Sequence, residues 1–268
     1  MSSATKPPTR IFGRLRVALK DAAMTITLNN PQRRNAIGPK MVSELLYALE
    51  DAHADNDVRA IILTGDGRSF CAGGDFAHMS GQTQSSRDLP LKGDYADLLL
   101  AMMRTAKPII ARVNGPALGG GLGLVAASTF AIAHTDAPLG TPEVNVGLFP
   151  MMIMAALARQ VPRRKLLEMM LFGHKMTADE ALALGLLNRV VPAEELDEAV
   201  QAVVDEIKEK SPLTIALGLR AFAEQDDLAM TDALPLLRNK LAEILGTEDA
   251  QEGLTAFLEK RNPVWKGR

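Results

Sequence analysis

The sequence predicts an α/β fold, and three observations lead to that prediction. Short apolar runs typical of strands alternate with segments whose apolar residues recur at helical spacing. The strand-like runs end at Asn-Gly or glycine-rich turns, which separate them from the helices. The end of the chain, from residue 193 onward, has helical patterns only. With 268 residues, the chain is expected to form one large domain, or one domain with an appendage.

The first elements are a predicted hairpin and a helix. Residues 14–19 and 24–28 alternate in polarity around a short polar turn, and the first of these strands is expected to extend over residues 9–19 as an edge strand. A helix is expected from about Gly38, because Pro39 suits a first helical turn, and it should end at residues 56–57. The run over residues 58–64 then predicts a buried strand.

The middle of the chain repeats this alternation. A glycine-rich loop over residues 65–74 precedes a polar stretch and a predicted helix. The next predicted elements, in order, are helix 95–105, strand 108–113, a helix opened by glycines over residues 119–127, strand 130–133 and the methionine-rich helix 151–159.

The C-terminal part predicts helices at 194–210, 213–225, 231–245 and 251–260, a candidate second module. One of them carries an apolar stripe made of Leu234, Leu237, Leu241, Ile244 and Leu245. Such a stripe packs either on the molecule's own core or on a neighbouring subunit, and both possibilities stay open.

Composition excludes several classes of function. There are 30 Lys and Arg against 32 Asp and Glu, and the net charge of −2 argues against a nucleic acid as partner. One cysteine rules out an internal disulfide, and four scattered histidines have no zinc-like spacing, so we expect no metal and a cytoplasmic location. The apolar stretches 117–127 and 144–158 are shorter than the roughly 18 residues of a membrane span.

The N-terminus leaves one alternative about location. Its first twenty residues hold five basic side chains and no acidic one, a bias typical of organelle transit peptides. The alternating pattern of the edge strand favours a structural role for most of this segment.

Two glycine turns and one carboxylate are the candidate chemical groups. Gly73-Gly74 follows an apolar strand, and Gly119-Gly120-Gly121 opens a helix, so their free N–H groups can point at one atom. Glu143 follows Thr141-Pro142 in a stretch without other charges, where partial desolvation raises a carboxyl pKa and suits a general acid–base. The alternatives are tight turns and a structural glutamate.

Two rival chemistries are disfavoured. Gly121, Gly123 and Ala126 match the dinucleotide fingerprint G-x-G-x-x-A, with Glu143 about twenty residues on. However, five residues separate the preceding strand from the glycines and no early βαβ unit precedes them. Cys71 is a weak nucleophile candidate, because no histidine lies near it in sequence.

The glycine turns belong to longer motifs in a fixed order, namely residues 31–36 (PQRRNA), 70–76 (FCAGGDF), 107–115 (KPIIARVNG), 117–121 (ALGGG), 177–191 and 252–261. Together these motifs resemble the crotonase superfamily, the enoyl-CoA hydratase/isomerase family, over nearly the whole chain. The resemblance implies a spiral of ββα units over residues 1–197. It also implies a helical trimerisation region over residues 198–268, in a homotrimer or a hexamer of two trimers.

The resemblance also implies a substrate and site residues. The substrate would be an acyl-CoA thioester, with coenzyme A as part of it and no separate cofactor. Gly74 and Gly120 would donate N–H groups to the thioester oxygen, with Glu143 as acid–base. The remaining substrate-binding positions implied are Arg33, Ala72, Asp75, Phe76 and Gly123, with Phe257 and Lys260 reaching a neighbouring subunit's CoA.

One departure bears on the reaction. Hydratases of this family use two glutamates, and the position of the first is Gly123 here. A single carboxylate suffices to move a proton between two carbons, whereas syn addition of water is harder to arrange with one. Hydration and double-bond isomerisation both stay open. Thr129 also replaces a frequent aspartate of the family, which puts a local structural bond in doubt.

Two further hypotheses come from other classes. The first alternative to an enzyme is a non-catalytic acyl-CoA-binding protein that lost the first glutamate. The second, suggested by rare family members and by Arg163-Arg164-Lys165, is an RNA-binding protein, and the near-neutral net charge argues against it. The acyl group is undetermined. Six apolar residues are candidates for lining its pocket, with burial in the core as the alternative: Phe76, Met79, Leu148, Phe149, Met151 and Met152.

Overall fold

The computed structural model describes residues 10–75 and 89–268. Its main sheet has six strands in the order β1-β2-β3-β4-β6-β9. Their bounds are Leu15–Lys20, Ala23–Leu28, Ala60–Gly65, Ile109–Val113, Phe130–His134 and Arg189–Val191. All neighbouring pairs are parallel except the antiparallel hairpin of β1 and β2. That hairpin closes through Asp21 and Ala22, both at positive φ, as its two-residue turn requires.

A second, smaller sheet runs beside the first. Its strands are β5 (Ala117–Leu118), β7 (Leu139–Gly140) and β8 (Lys175–Met176). Single bridges join Ile37 to Gly74 and Cys71 to Ala117. Each turn of the chain thus adds a long strand to the main sheet and a short paired segment beside it before a helix follows. This is the predicted spiral of ββα units.

Ten helices occur within the described residues. The first six are α1 (Pro39–Ala54), α2 (Tyr95–Met103), α3 (Gly120–Ala126), α4 (Met151–Leu157), α5 (Arg163–Phe172) and α6 (Ala178–Ala183). The last four are α7 (Leu196–Lys208), α8 (Pro212–Gln225), α9 (Met230–Leu245) and α10 (Glu248–Glu259).

Apolar side chains cover both faces of the main sheet. Ile61 belongs to the larger core, which also contains α1 and α3, while its neighbour Ile62 belongs to a second cluster. In that second cluster α7 contributes five buried side chains, Leu196, Val200, Val203, Val204 and Ile207. All six residues of β3 are therefore buried, which explains why its sequence is an apolar run rather than an alternation.

The C-terminal helices α8, α9 and α10 pack against one another. Buried Asp249 at the start of α10 joins them, because it accepts a hydrogen bond of 2.6 Å from Ser211, the N-cap of α8. The expected division at residues 197 and 198 stays a prediction. Helix α7, which spans that division, packs on the main sheet.

The structure corrects the edge strand. Residues 10–14 were expected to continue it, but β1 begins at Leu15. The Gly13 and Arg14 amides instead donate to the buried Glu44 carboxylate, at 3.0 and 2.7 Å, so they are not available for strand pairing. Thr9 lies outside the described residues.

Candidate active site

The two predicted glycine turns lie in direct contact. Around the first, the Ile37 amide donates to the Gly73 carbonyl at 2.7 Å, and the Asp75 amide donates to the Ile37 carbonyl at 2.8 Å. The Leu118 amide donates to the Cys71 carbonyl at 2.9 Å, which joins the turns. A Cβ on Gly119 would lie 3.6 Å from the Gly73 Cα. The two glycine turns therefore adjoin each other, and a common acceptor for their N–H groups stays a prediction.

This close approach requires glycine. Gly73 and Gly119 have φ of +104° and +52°, a region that L side chains rarely adopt. A Cβ on Gly121 would lie 2.2 Å from the Cys71 carbonyl oxygen. The glycine-rich sequence thus serves the contact between turns, which also accounts for the first glycine of the apparent dinucleotide fingerprint.

The amides of Gly74 and Gly120 have no hydrogen-bond acceptor among the described residues. No described atom lies within 4 Å of a Cβ position on Gly74, so the space beside this residue is open. Two N–H groups on adjoining turns are thus available to an external acceptor.

Glu143 lies against the second turn. It belongs to a 3-10 turn, Pro142–Val146, that follows β7 and closes with Gly147 at positive φ. Thr141 anchors the start of this turn, because its buried hydroxyl donates to the Met169 carbonyl at 3.1 Å. The Glu143 Oε1 atom is 2.9 Å from the position that a Cβ on Gly119 would take.

The Glu143 carboxyl group is only partly satisfied. Its Oε2 atom is buried and has no hydrogen-bond partner among the described residues. Burial raises the pKa of this carboxyl above its usual range, while its own backbone N–H lowers the pKa by less. An unpartnered buried oxygen, in a carboxyl group that lies against a glycine turn, is available to a hydrogen-bond donor from outside the chain.

Tyr95 and Ile153 fill the space next to Gly123. A Cβ on Gly123 would lie 2.3 Å from the Ile153 Cγ2 atom and 2.4 Å from the Tyr95 hydroxyl oxygen, too close for any side chain. That hydroxyl donates to the Gly120 carbonyl at 2.5 Å. Position 123 thus has no room for a second carboxylate, and its glycine is explained by packing.

Three of the residues expected at the CoA side lie at the first turn. Arg33 pairs with Asp75 at 2.8 Å, and 43% of the Arg33 side chain is exposed. The Ala72 amide donates to the Arg34 carbonyl at 2.9 Å. Phe76, like the pocket candidate Met79, lies outside the described residues.

Phe257 and Lys260 lie on or directly after α10, which packs on α8 and α9. Phe257 is 81% exposed, so it buries little surface within its own chain. That Phe257 and Lys260 reach the CoA of a neighbouring subunit stays a prediction.

A cavity of about 760 Å³ lies between α2, α4, α8 and the end of α3. Met151 and Met152 line it together with Leu219 and Phe222, whereas Leu148 is simply exposed. Other lining residues follow closely on Tyr95, Gly123 and Ile153, namely Ala96, Ala126 and Ala156. Tyr95, Gly123 and Ile153 thus lie near residues that line this cavity.

The structural roles of Tyr95, Ile153 and Asn35 were not predicted from the sequence. Asn35 is fully buried at positive φ, and its amide donates to the Ser69 and Phe70 carbonyls ahead of the first turn. Its place in a motif was a signal, whereas Tyr95 and Ile153 had none beyond their positions in predicted helices.

Two sequence-based doubts are resolved. Cys71 is fully buried, and burial raises the pKa of its thiol to about 12, so it is not a thiolate at neutral pH. Thr129 exchanges hydrogen bonds with Ile109, through its hydroxyl at 3.0 Å and its amide at 2.9 Å, so a local structural bond is present without an aspartate.

Two features are absent from the described residues. None of their helices has both the length and the apolar character needed to cross a membrane. No three or more of their His, Cys, Asp and Glu side chains are grouped as metal ligands would be.

Comparison with known proteins gives consistent matches. A family model described as enoyl-CoA hydratase/isomerase matches residues 19–268. A probable enoyl-CoA hydratase of Bacillus subtilis is 35% identical over 254 residues, covering 94% of this chain and 98% of that protein. The mitochondrial enoyl-CoA hydratase domain-containing protein 3 of Xenopus laevis is 35% identical over 240 residues, covering 90% of this chain and 82% of that protein.

Solved structures agree with these matches. The crystal structure of an enoyl-CoA hydratase from Mycobacterium smegmatis superimposes with a TM-score of 0.87 at 35% identity, covering 94% of this chain and 98% of that one. The crystal structure of human enoyl coenzyme A hydratase domain-containing protein 3 gives a TM-score of 0.86 at 33% identity, covering 94% of this chain and 100% of that one.

Proposed function

The chain belongs to the enoyl-CoA hydratase/isomerase family, and on that premise we propose that it binds an acyl-CoA thioester and stabilises its enolate, with Glu143 as the acid–base. One observation carries the proposal: the buried Oε2 atom of Glu143 has no partner among the described residues, and the carboxyl group lies against Gly119 of the second glycine turn. Coenzyme A is part of the substrate, and the proposal includes no separate cofactor.

The amides of Gly74 and Gly120 are the proposed oxyanion donors. When a proton leaves C2 of a thioester, negative charge develops on the carbonyl oxygen. Fixed N–H donors aimed at that oxygen stabilise the transition state more than the ground state, and losing one such donor costs about 10²–10³ in rate. Both amides lack an acceptor among the described residues, which supports this assignment.

Isomerisation of a 3-enoyl-CoA to a 2-enoyl-CoA is the reaction that this geometry supports best. The Glu143 carboxylate takes the proton from C2, and the electron pair of the C–H bond forms the enolate. The enolate then collapses to a C2–C3 double bond, while C4 takes the proton back from Glu143 as the C3–C4 π bond breaks. No atom is gained or lost, so one carboxylate is sufficient.

Hydration of a 2-enoyl-CoA is the second candidate. This candidate is supported by the names of relatives, such as the probable enoyl-CoA hydratase of Bacillus subtilis. Hydration needs one group to activate water and a proton source for C2. Position 123 has no room for a second carboxylate, so Glu143 or the water itself would serve both steps.

The cavity beside Tyr95 is the proposed space for the acyl chain. Its volume of about 760 Å³ is in the range of small-molecule sites, and Met151 and Met152 give it adaptable apolar walls. Arg33, Ala72 and Asp75 remain the proposed CoA-side positions, with Phe257 and Lys260 supplied by a neighbouring subunit.

The experiment is incubation of the protein with a panel of 2-enoyl-CoA and 3-enoyl-CoA thioesters, with products analysed by mass and by absorbance of the conjugated thioester. Isomerase activity gives a conjugated product of unchanged mass from the 3-enoyl substrates. A mass gain of one water from the 2-enoyl substrates would establish hydration instead. Tight acyl-CoA binding without turnover at any chain length would favour the non-catalytic alternative.

A further inference from the structure

Tyr95 makes a polar contact at the centre of the proposed site that the reaction described above does not use. Its side chain is partly buried against the main core. Its hydroxyl donates to the Gly120 carbonyl, and the hydroxyl oxygen is 3.5 Å from the Cβ position of Gly120. Gly120 is the residue whose amide is the second proposed oxyanion donor, so this contact is made to the same residue.

The contact depends on glycine at position 123. The Tyr95 hydroxyl oxygen would lie 2.4 Å from a Cβ there, so any other residue would displace the phenol or Ile153. Where hydratases of the family have a second carboxylate, this chain has a neutral hydroxyl brought in from another helix. The glycine and the tyrosine therefore form one arrangement.

The backbone around Tyr95 is held firmly. Tyr95 is the first residue of α2, and Asp94 caps that helix by accepting from the Ala96 and Asp97 amides at 2.8 and 3.1 Å. The Asp97 side chain completes a capping box by accepting from the Asp94 amide. The cap fixes the backbone position from which the Tyr95 side chain reaches Gly120.

The hydroxyl keeps its proton at neutral pH. Burial raises the pKa of Tyr95 well above its usual value, and the nearby Cys71 and Glu143 raise it further. The group is therefore a hydrogen-bond donor over the working range of the protein.

We infer that Tyr95 is a positioning residue: its hydroxyl holds the Gly120 carbonyl, and thereby keeps the Gly120 amide directed at the thioester oxygen. This inference rests on the proposed function. A glycine turn is flexible. An N–H donor whose direction fluctuates stabilises developing charge poorly, because such donors act through being fixed in position before the reaction. The phenol supplies the rigidity that the three glycines lack.

The test is Tyr95→Phe, with Tyr47→Phe as the matched control. Tyr47 is the other of the chain's two tyrosines, and it lies on α1. Its ring contacts the side chains of Arg10 and Lys92. The probe is cinnamoyl-CoA, whose conjugated thioester absorbs at longer wavelength when its carbonyl is polarised. The measurements are this spectral shift at saturation, the probe's Kd, the kcat and KM on the substrate found active, and Tm.

Because removing an oxyanion donor costs about 10²–10³ in rate, loosening one that remains is expected to lower kcat about tenfold. Tyr95→Phe should also reduce the spectral shift, with Kd, KM and Tm near the wild-type values. Tyr47→Phe should behave as wild type in every measurement.

The contrary outcomes are distinguishable. If Tyr95→Phe keeps the full shift and kcat, the inference is overturned and the proposed function stands. If Kd, KM and Tm change together with kcat, Tyr95 is a packing residue and the inference is equally overturned. If the wild-type protein binds the probe without a shift, or does not bind it, the proposed function fails and this inference fails with it.

Discussion

At the residue scale, position 123 shows how the surroundings of a glycine change its meaning. From sequence, Gly123 is a missing glutamate. In the structure, Ile153 and Tyr95 occupy the volume that its side chain would need. The site is therefore built around one carboxylate, Glu143, and the second position is closed by packing rather than left empty.

Gly123→Ala should destabilise the protein. The added Cβ would lie within 2.4 Å of two side-chain atoms, and overpacking of this kind costs about 1–3 kcal/mol. Urea unfolding measures the change in the free energy of unfolding. The matched control is Gly218→Ala in α8, where nothing lies within 4 Å of the Cβ position, so alanine should be neutral or stabilising. Equal stability of both variants would contradict the packing of position 123.

The acid limb of the pH–rate profile should report Glu143. Isomerisation starts from the carboxylate, so kcat/KM falls as pH drops through the pKa of this group. Burial raises that pKa above the ordinary 4.5, so the midpoint of the limb should lie above 4.5. Rates measured from about pH 4 to pH 9, with circular dichroism at each pH to verify folding, test this. A rate that is constant down to an ordinary glutamate pKa would contradict it.

At the element scale, the long strands and helices could be predicted and the short ones could not. Strands such as β3 and helices such as α1 contain enough periodic residues to define a pattern. Strands β5, β7 and β8 have two residues each, and their pairing arises from tertiary contact. The two glycine turns and Glu143 could be found in sequence, because glycine and an isolated carboxylate have local signatures.

The contact between Tyr95 and Gly120 has no such signature. It joins the start of α2 to the start of α3, which are 25 residues apart. Nothing in the local sequence distinguishes a tyrosine that faces a site from one that fills a core. The early end of the edge strand is similar, since it depends on Glu44 from α1 reaching the Gly13 and Arg14 amides.

The cap of α2 should contribute measurable stability. Asp94→Ala removes the acceptor for two amides at the start of the helix, and loss of such a cap costs about 1 kcal/mol. Urea unfolding checks this, with Glu194→Ala as a control, since Glu194 is exposed in a 3-10 turn and surface changes stay within about 0.5 kcal/mol. Identical stabilities of the two variants would contradict the capping box.

At the scale of the whole molecule, the three C-terminal helices expose much apolar surface. On α9, Leu234, Leu241 and Leu245 are all more than half exposed, so these three residues of the predicted stripe do not pack on the molecule's own core, whereas Leu237 and Ile244 are half-buried. Phe257 and Leu258 of α10 are more exposed still. Apolar patches of this kind mark interaction surfaces, which is consistent with the expected association of identical chains.

A homotrimer or a hexamer is the predicted assembly, measured by sedimentation or by light scattering. The double variant Leu234→Glu/Leu241→Glu should lower the mass, because it places charge in an apolar contact. Leu19→Glu is the control, since Leu19 is 43% exposed at the end of β1, at the opposite end of the chain. A monomeric wild-type protein, or a double variant that assembles normally, would contradict the prediction.

The central claim is that Glu143 moves the C2 proton of a thioester bound at Gly74 and Gly120. Its most direct test is incorporation of deuterium from heavy water at C2 of a 3-enoyl-CoA, measured by mass spectrometry, in the wild-type protein and in Glu143→Gln. The prediction is rapid incorporation by wild type, and a loss of about 10²–10⁴-fold in Glu143→Gln with thioester binding within a few-fold. Exchange at the wild-type rate in Glu143→Gln would contradict the claim.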